Sequence, residues 1–211
     1  MNKKTNHIFI LLGSAAVLLY IVHVILGGLL WPDFSHLQQP ISDLTASGAP
    51  YRQLLLLFTT MYGILILLFA LWLTFVESKK HSKQFLWGGI CFVFLHLISN
   101  VYSFFPEDLA GQPVTFRGTM HIILTVFIVP FTILSPLFFG LALIKEPAWK
   151  SFGVYAIITC TAILLFGATS GIFYAKKIPY FGLVERLNIG TLQLWTFIFS
   201  LKLFLQSRIT G

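Results

Sequence analysis

Apolar residues in this chain come in long unbroken runs, and polar residues are confined to the gaps between them. Six runs stand out, at about 7–30, 53–76, 85–105, 119–144, 151–174 and 189–207. A helix that crosses the ~30 Å hydrocarbon core of a bilayer needs about 20 mostly apolar residues, and each run approaches or exceeds that length. The pattern predicts an all-α fold: a polytopic membrane helix bundle of six transmembrane helices, forming a single domain over residues 1–211. The first run follows Asn2-Lys3-Lys4, as the core of a signal peptide would. It is longer than the ~7–15 residues of such a core, and no small-x-small cleavage site follows. Trp31-Pro32 closes it instead, so the segment is expected to stay as a helix.

Composition changes this picture little and excludes much. Hydrophobic residues make up 57% of the 211 positions and charged residues 10%, against about 25% charged in soluble domains. Mean hydropathy is +0.86. The net charge of +7 would suit a nucleic-acid partner if it formed a basic stripe on a folded domain. Here the basic residues flank the apolar runs, so the expected partners are membrane lipids and not nucleic acid. Cys91 and Cys160 both lie inside apolar runs and form neither a metal-ligand pair nor a redox motif.

The polar gaps assign a direction. One side of the predicted bundle collects Lys3, Lys4, Lys79, Lys80, Lys83, Lys145, Lys150, Lys202 and Arg208. The other collects Arg52, Arg117, Lys176, Lys177 and Arg186. Cytoplasmic loops carry the excess of Lys and Arg, so the first side, with both termini, is expected to be cytoplasmic. Asp33, Asp43, Glu107, Asp108 and Glu185, five of the seven acids, fall on the other side. The loops there are also longer, at 31–52, 106–118 and 175–188, and loops on a rigid scaffold are where function concentrates.

Those loops carry four short motifs: Ile41-Ser42-Asp43-Leu44 running on to Gly48-Ala49-Pro50, Phe105-Pro106-Glu107-Asp108, Arg117-Gly118-Thr119-Met120-His121, and Gly182-Leu183-Val184-Glu185-Arg186. In this order, and over nearly the whole chain, they resemble the bacterial and archaeal membrane family known as domain of unknown function 998. That family shows an Ile-Ser-acid-Leu stretch with a following Gly-x-Pro, an acidic Phe-Pro motif, a His opening the fourth helix and an Arg before the sixth. The first motif is also similar to the Ile-Ser-Asp stretch of eukaryotic DRAM-type membrane proteins. The resemblance implies six helices, an outward polar cluster and a bacterial or archaeal cytoplasmic membrane; it implies no activity. Glu107 stands where the family has a small residue, which makes Asp108 the matching acid.

Three readings of the polar cluster follow from the residue types. In the first, Arg117 and Arg186 hold an anionic head group, which arginine grips through two N–H groups. Asp43, Asp108, His121, Glu185 and Gln193 complete the ligand site, so the protein binds or moves a lipid head group or small amphiphile. Arg117, His121 and Thr125 share one helix face, and Arg186, Gly190 and Gln193 another, with Gly190 expected to admit a neighbouring helix. In the second, the protein is an intramembrane hydrolase-type enzyme in which Asp108 and His121 act as an acid–base pair, or ligate zinc together with Asp43. Ser42 is its candidate nucleophile and, in the plainer reading, an N-cap. In the third, the ion pairs only staple the loops together. The expected depths of His23 and His96 also match, as two axial ligands of a haem would require. Hydrogen bonds within the bundle are the simpler role for both. The five tryptophans are expected mostly at the membrane interfaces, and Pro130 and Pro136 are expected to loosen the fourth helix.

Overall fold

The computed structural model describes residues 2–209, which form six long helices joined by loops and short 3-10 turns. They are α1 (Lys3–Leu30), α2 (Arg52–Phe75), α3 (Lys83–Val101), α4 (Phe116–Leu143), α5 (Lys150–Lys176) and α6 (Phe181–Ile209). All six are long and apolar enough to cross a membrane, as a bilayer requires when every backbone N–H and C=O must be satisfied internally. Each helix packs against its neighbours in sequence, and α1 against α6, which closes the six into a ring. Helix α4 runs without interruption through Pro130 and Pro136.

Every helix begins before its apolar run, α1 and α6 by the widest margins. Helix α1 starts at Lys3, where the Asn2 side chain accepts the Thr5 N–H at 2.8 Å. Helix α6 starts at Phe181, eight residues before its apolar run, and so takes Glu185 and Arg186 into its first turns. Its opening N–H groups are capped by the first loop: Gly182 and Leu183 donate to the carbonyls of Gln38 and Leu37 at 3.2 and 3.0 Å.

At the basic end the ring is filled by aromatic rings. Phe85, Phe139, Trp195 and Phe199 are fully buried. Phe85 meets Phe139 edge-on at 4.7 Å, Phe139 meets Phe199 at 5.1 Å, and Phe152 stacks on Phe199 at 4.9 Å. Trp72, Trp149 and Trp195 all belong to this core, so three of the five tryptophans pack inside the protein instead of marking an interface. Lipid offers a free Trp or Phe as apolar a surrounding as the core does, and the gain here is therefore close packing. Buried hydroxyls close the ring: Ser14 Oγ donates to Ser200 Oγ at 2.7 Å, and Ser200 Oγ donates to the Ile10 carbonyl at 2.7 Å.

At the other end the first loop folds over the bundle. A 3-10 turn, Ile41–Thr45, sets Leu44 against α1, where a methyl group added at Gly27 would come within 2.8 Å of Leu44 Cδ1. Gly48 sits at φ +85°, in the left-handed region that glycine enters without strain. Ile41, Leu44 and Phe34 form a small core with Leu55 under this lid.

Candidate functional site

The lid is pinned by the first turns of α6. Glu185 Oε2 accepts the Ile41 N–H at 2.7 Å. Arg186 Nη1 donates to the carbonyls of Gln39 at 2.7 Å and Gly182 at 2.9 Å. Phe34 lies over the guanidinium, its ring centroid 5.4 Å from Cζ. The remaining donors on Nε and Nη2 are buried without an acceptor among the described residues. An uncompensated buried donor of this kind costs about 1–3 kcal/mol, more when charged.

Asp43, only 4% exposed, accepts a hydrogen bond from Gln39 Nε2 at 3.2 Å. Burial raises its pKa to about 6, and the charge of Glu107 adds to the rise; the Gln39 hydrogen bond and the charge of Arg186 oppose it. Burial raises Glu107 as well. A hydrogen bond from Ser42 opposes that rise, and the charge of Asp108 adds to it. Glu185 also lies within Coulomb range of Glu107 and Asp43. Glu185 and Asp43 thus lie within Coulomb range of Arg186, and no salt bridge at contact distance joins either to it among the described residues.

Asp108 is used elsewhere. Its two oxygens accept the backbone N–H and the hydroxyl of Thr115 at 2.7 and 2.8 Å, and Thr115 Oγ accepts the Gly118 N–H to cap α4. It is a link in a capping network, and Glu107 is the acid that faces His121, with Oε2 3.9 Å from Nε2. His121 Nδ1 lies 2.9 Å from the Phe105 carbonyl. A carbonyl only accepts, so Nδ1 carries a proton and Nε2 is the nitrogen turned towards Glu107. Ser42 does not cap the 3-10 turn, whose N-cap is Pro40; its hydroxyl instead meets Glu107. The connected order is Ser42, Glu107, His121. Nucleophile activation needs the His next to the Ser, with the acid behind it, so this order does not match a hydrolase triad.

The two arginines are not brought into one site. Arg117 is exposed and makes no hydrogen bond or ion pair among the described residues. Arg186 stands at one end of a groove of about 470 Å³ between α1 and α6. Leu18, Ile21 and Ile25 of α1 and Ile189, Leu194 and Phe197 of α6 give it apolar walls. Gly190 has nothing within 4 Å of where a Cβ would sit, so it widens this groove and does not draw a helix close. Gln193, also in the lining, donates through Nε2 to the Tyr62 hydroxyl at 2.8 Å.

Inside the bundle, His23 and His96 are 2% and 3% exposed. They are linked by ring contacts that run through tyrosines: His23 to Tyr20 at 6.0 Å, Tyr20 to Tyr62 at 5.0 Å and Tyr62 to His96 at 6.2 Å. Phe92 closes on His96 at 4.4 Å. Aromatic rings thus stand against both histidines. No group of three or more His, Cys, Asp or Glu side chains gathers as a metal ion requires, among the described residues. His121, Asp108 and Asp43 therefore do not fit a zinc centre.

Sequence reasoning missed Gln39, Phe34, Tyr20 and the α1 wall of the groove, and it undervalued Glu107. The Phe-Pro-Glu-Asp motif contains the right acid beside the capping one, but nothing in the sequence separates the two roles. The chain matches the family described as protein of unknown function (DUF998) over residues 14–202 and belongs to that family. No curated protein and no solved structure matches it.

Proposed function

We propose that this member of the family binds an amphiphile with an anionic head group, its head at Arg186 and its tail in the groove between α1 and α6. The observation that carries the reading is that Arg186, whose Nε and Nη2 have no acceptor among the described residues, lines one end of an apolar groove. Those two N–H groups form the side-on fork that holds one oxyanion bidentately, and the groove falls within the range of small-molecule sites, about 300–1,000 Å³. The excess of Lys and Arg at the opposite end favours an orientation with both termini in the cytoplasm and the groove opening to the outer leaflet.

Asp43 tunes the site. Its charge competes with a bound anion for Arg186, so its protonation below about pH 6 strengthens binding. The test is native mass spectrometry of the protein purified in neutral detergent after exposure to mixed phosphatidylglycerol and phosphatidylcholine. Retention of the anionic lipid rises between pH 7 and 5.5, falls at least tenfold in Arg186→Gln and falls less in Arg186→Lys. Equal retention in Arg186→Gln rejects the reading.

A purely structural role has its own observation: Arg186 and Glu185 pin the first loop through backbone atoms. Arg186→Gln that lowers the melting temperature and leaves lipid retention unchanged selects that role instead.

A further inference from the structure

The basic end holds a second chamber, of about 370 Å³, unrelated to the groove. The start of α1, the turn between α2 and α3, Trp149 ahead of α5 and the end of α6 enclose it. Its floor is apolar and buried, formed by Ile10, Leu203 and Trp149. The upper wall is rich in donors: Lys3, Asn6, His7, Lys80 and His81.

The single acid in the lining, Glu77, is neutralised within the wall. Its Oε2 accepts from Lys80 Nζ at 2.8 Å, and its Oε1 lies 3.5 Å from His81 Nε2. His81, with its side chain only 6% exposed, also meets Glu146 through Nδ1 at 2.9 Å and stacks on Phe85 at 4.2 Å. The Asn6 carbonyl oxygen accepts the Trp72 indole N–H at 3.1 Å, which leaves the amide N–H groups of Asn6 for the chamber. His7 Nε2 is buried in this lining without a hydrogen-bond partner among the described residues. The 28-residue helix α1 begins at this rim, and the positive end of its dipole adds to the field.

We propose that this chamber binds a phosphate-type oxyanion, taking donors from His7, Asn6, Lys3 and Lys80. The chemistry is common to two sources, the phosphate of an anionic lipid in the adjoining leaflet and a free phosphate. The floor of Ile10 and Leu203 accommodates the glycerol backbone of the former and is left unused by the latter.

The test has two arms on the full chain. Inorganic phosphate is titrated calorimetrically into the protein in neutral detergent. Separately, phosphatidylglycerol equivalents retained from phosphatidylcholine nanodiscs are counted by native mass spectrometry. Binding in the first arm assigns a free phosphate; binding in the second alone assigns a lipid. Lys80→Gln and His7→Phe each weaken the bound species at least tenfold. Lys145→Gln, an exposed charge at the same end outside the lining, changes it less than twofold. Retention of a lipid equivalent that is lost in Arg186→Gln but kept in Lys80→Gln belongs to the groove and does not count. Should Lys80→Gln not fold, His7→Phe, which keeps the ring packed on Phe204, decides alone. The proposal is overturned if neither arm shows binding, if Lys145→Gln weakens it as much as Lys80→Gln, or if His7→Phe binds normally.

Discussion

At the basic end of the bundle, rings from α2, α3, α4, α5 and α6 meet face and edge around Phe199 and Trp195, and a Ser14–Ser200 hydroxyl pair closes α1 onto α6. At the loop-rich end the same helices surround a polar layer instead, and a folded loop covers it. The two ends solve the same problem differently. Without a hydrophobic force between helices in lipid, association relies on packing and on hydrogen bonds. The basic end uses packing in its core, with the Lys80–Glu77–His81–Glu146 cluster at its rim. The loop-rich end uses charged groups and backbone carbonyls, and it leaves the Arg186 donors and a Glu107 oxygen buried without partners. Unused hydrogen-bonding capacity of that kind marks a candidate site, because structural polar groups are normally satisfied.

The contrast is open to three tests of decreasing size. Trp195→Ala in the aromatic core costs about 2–4 kcal/mol, most of it the cavity left behind, since lipid solvates the indole well in the unfolded state too. The measurement is denaturation in mixed micelles; a loss below 1 kcal/mol would mean that the rings are loosely packed and the contrast is false.

The second test separates the ends by pH. Asp43 has a folded pKa of about 6, raised by burial above its unfolded value. Below the unfolded pKa both states are protonated and the stability it confers is complete. That stability is lost as pH rises from about 4 through about 6, and up to about 3 kcal/mol is involved. Asp43→Asn therefore removes this slope and leaves a protein more stable than the parent at pH 7. His81 at the basic end is raised too; burial lowers it, but Glu77 and Glu146 more than offset that. Its contribution is complete below about pH 6.5 and fades only as pH climbs above that value. His81→Phe, which keeps the stack on Phe85, should abolish the upper slope alone. Melting temperatures from pH 4 to 8.5 on the two variants decide it, and a single shared window would refute independent ends.

The smallest effect concerns Asp108. Asp108→Ala removes two hydrogen bonds to Thr115 and loosens the α4 cap, at about 1–2 kcal/mol. It leaves the pH slope of Asp43 and lipid retention at Arg186 unchanged. A large loss of lipid retention would restore Asp108 to the binding site and remove it from the scaffold.

Much of the fold was legible because its cause is local. A run of about 20 apolar residues has one stable form in a bilayer, whatever its neighbours. The site was legible only as a neighbourhood. Asp43, Glu185 and Arg186 lie in recognisable motifs, yet Arg117 carries the same chemistry and stands exposed. Asp108 and Glu107 are adjacent, and only the path of the third loop decides which caps a helix and which faces His121. The tryptophans mislead for a related reason: Trp72, Trp149 and Trp195 have the composition of interface markers, but the ring of helices turns them inward.

The sequence by itself determined six helices, their order and the charge imbalance between the two ends, since length, hydropathy and loop charge act along the chain without reference to distant residues. Tertiary structure alone decided that α1 closes on α6 and that the first loop caps α6. It also decided that one arginine of the expected pair keeps buried donors without an acceptor among the described residues and lines one end of an apolar groove. Those outcomes depend on which carbonyls and carboxylates reach a guanidinium across 147 residues of chain, and no local pattern encodes that meeting.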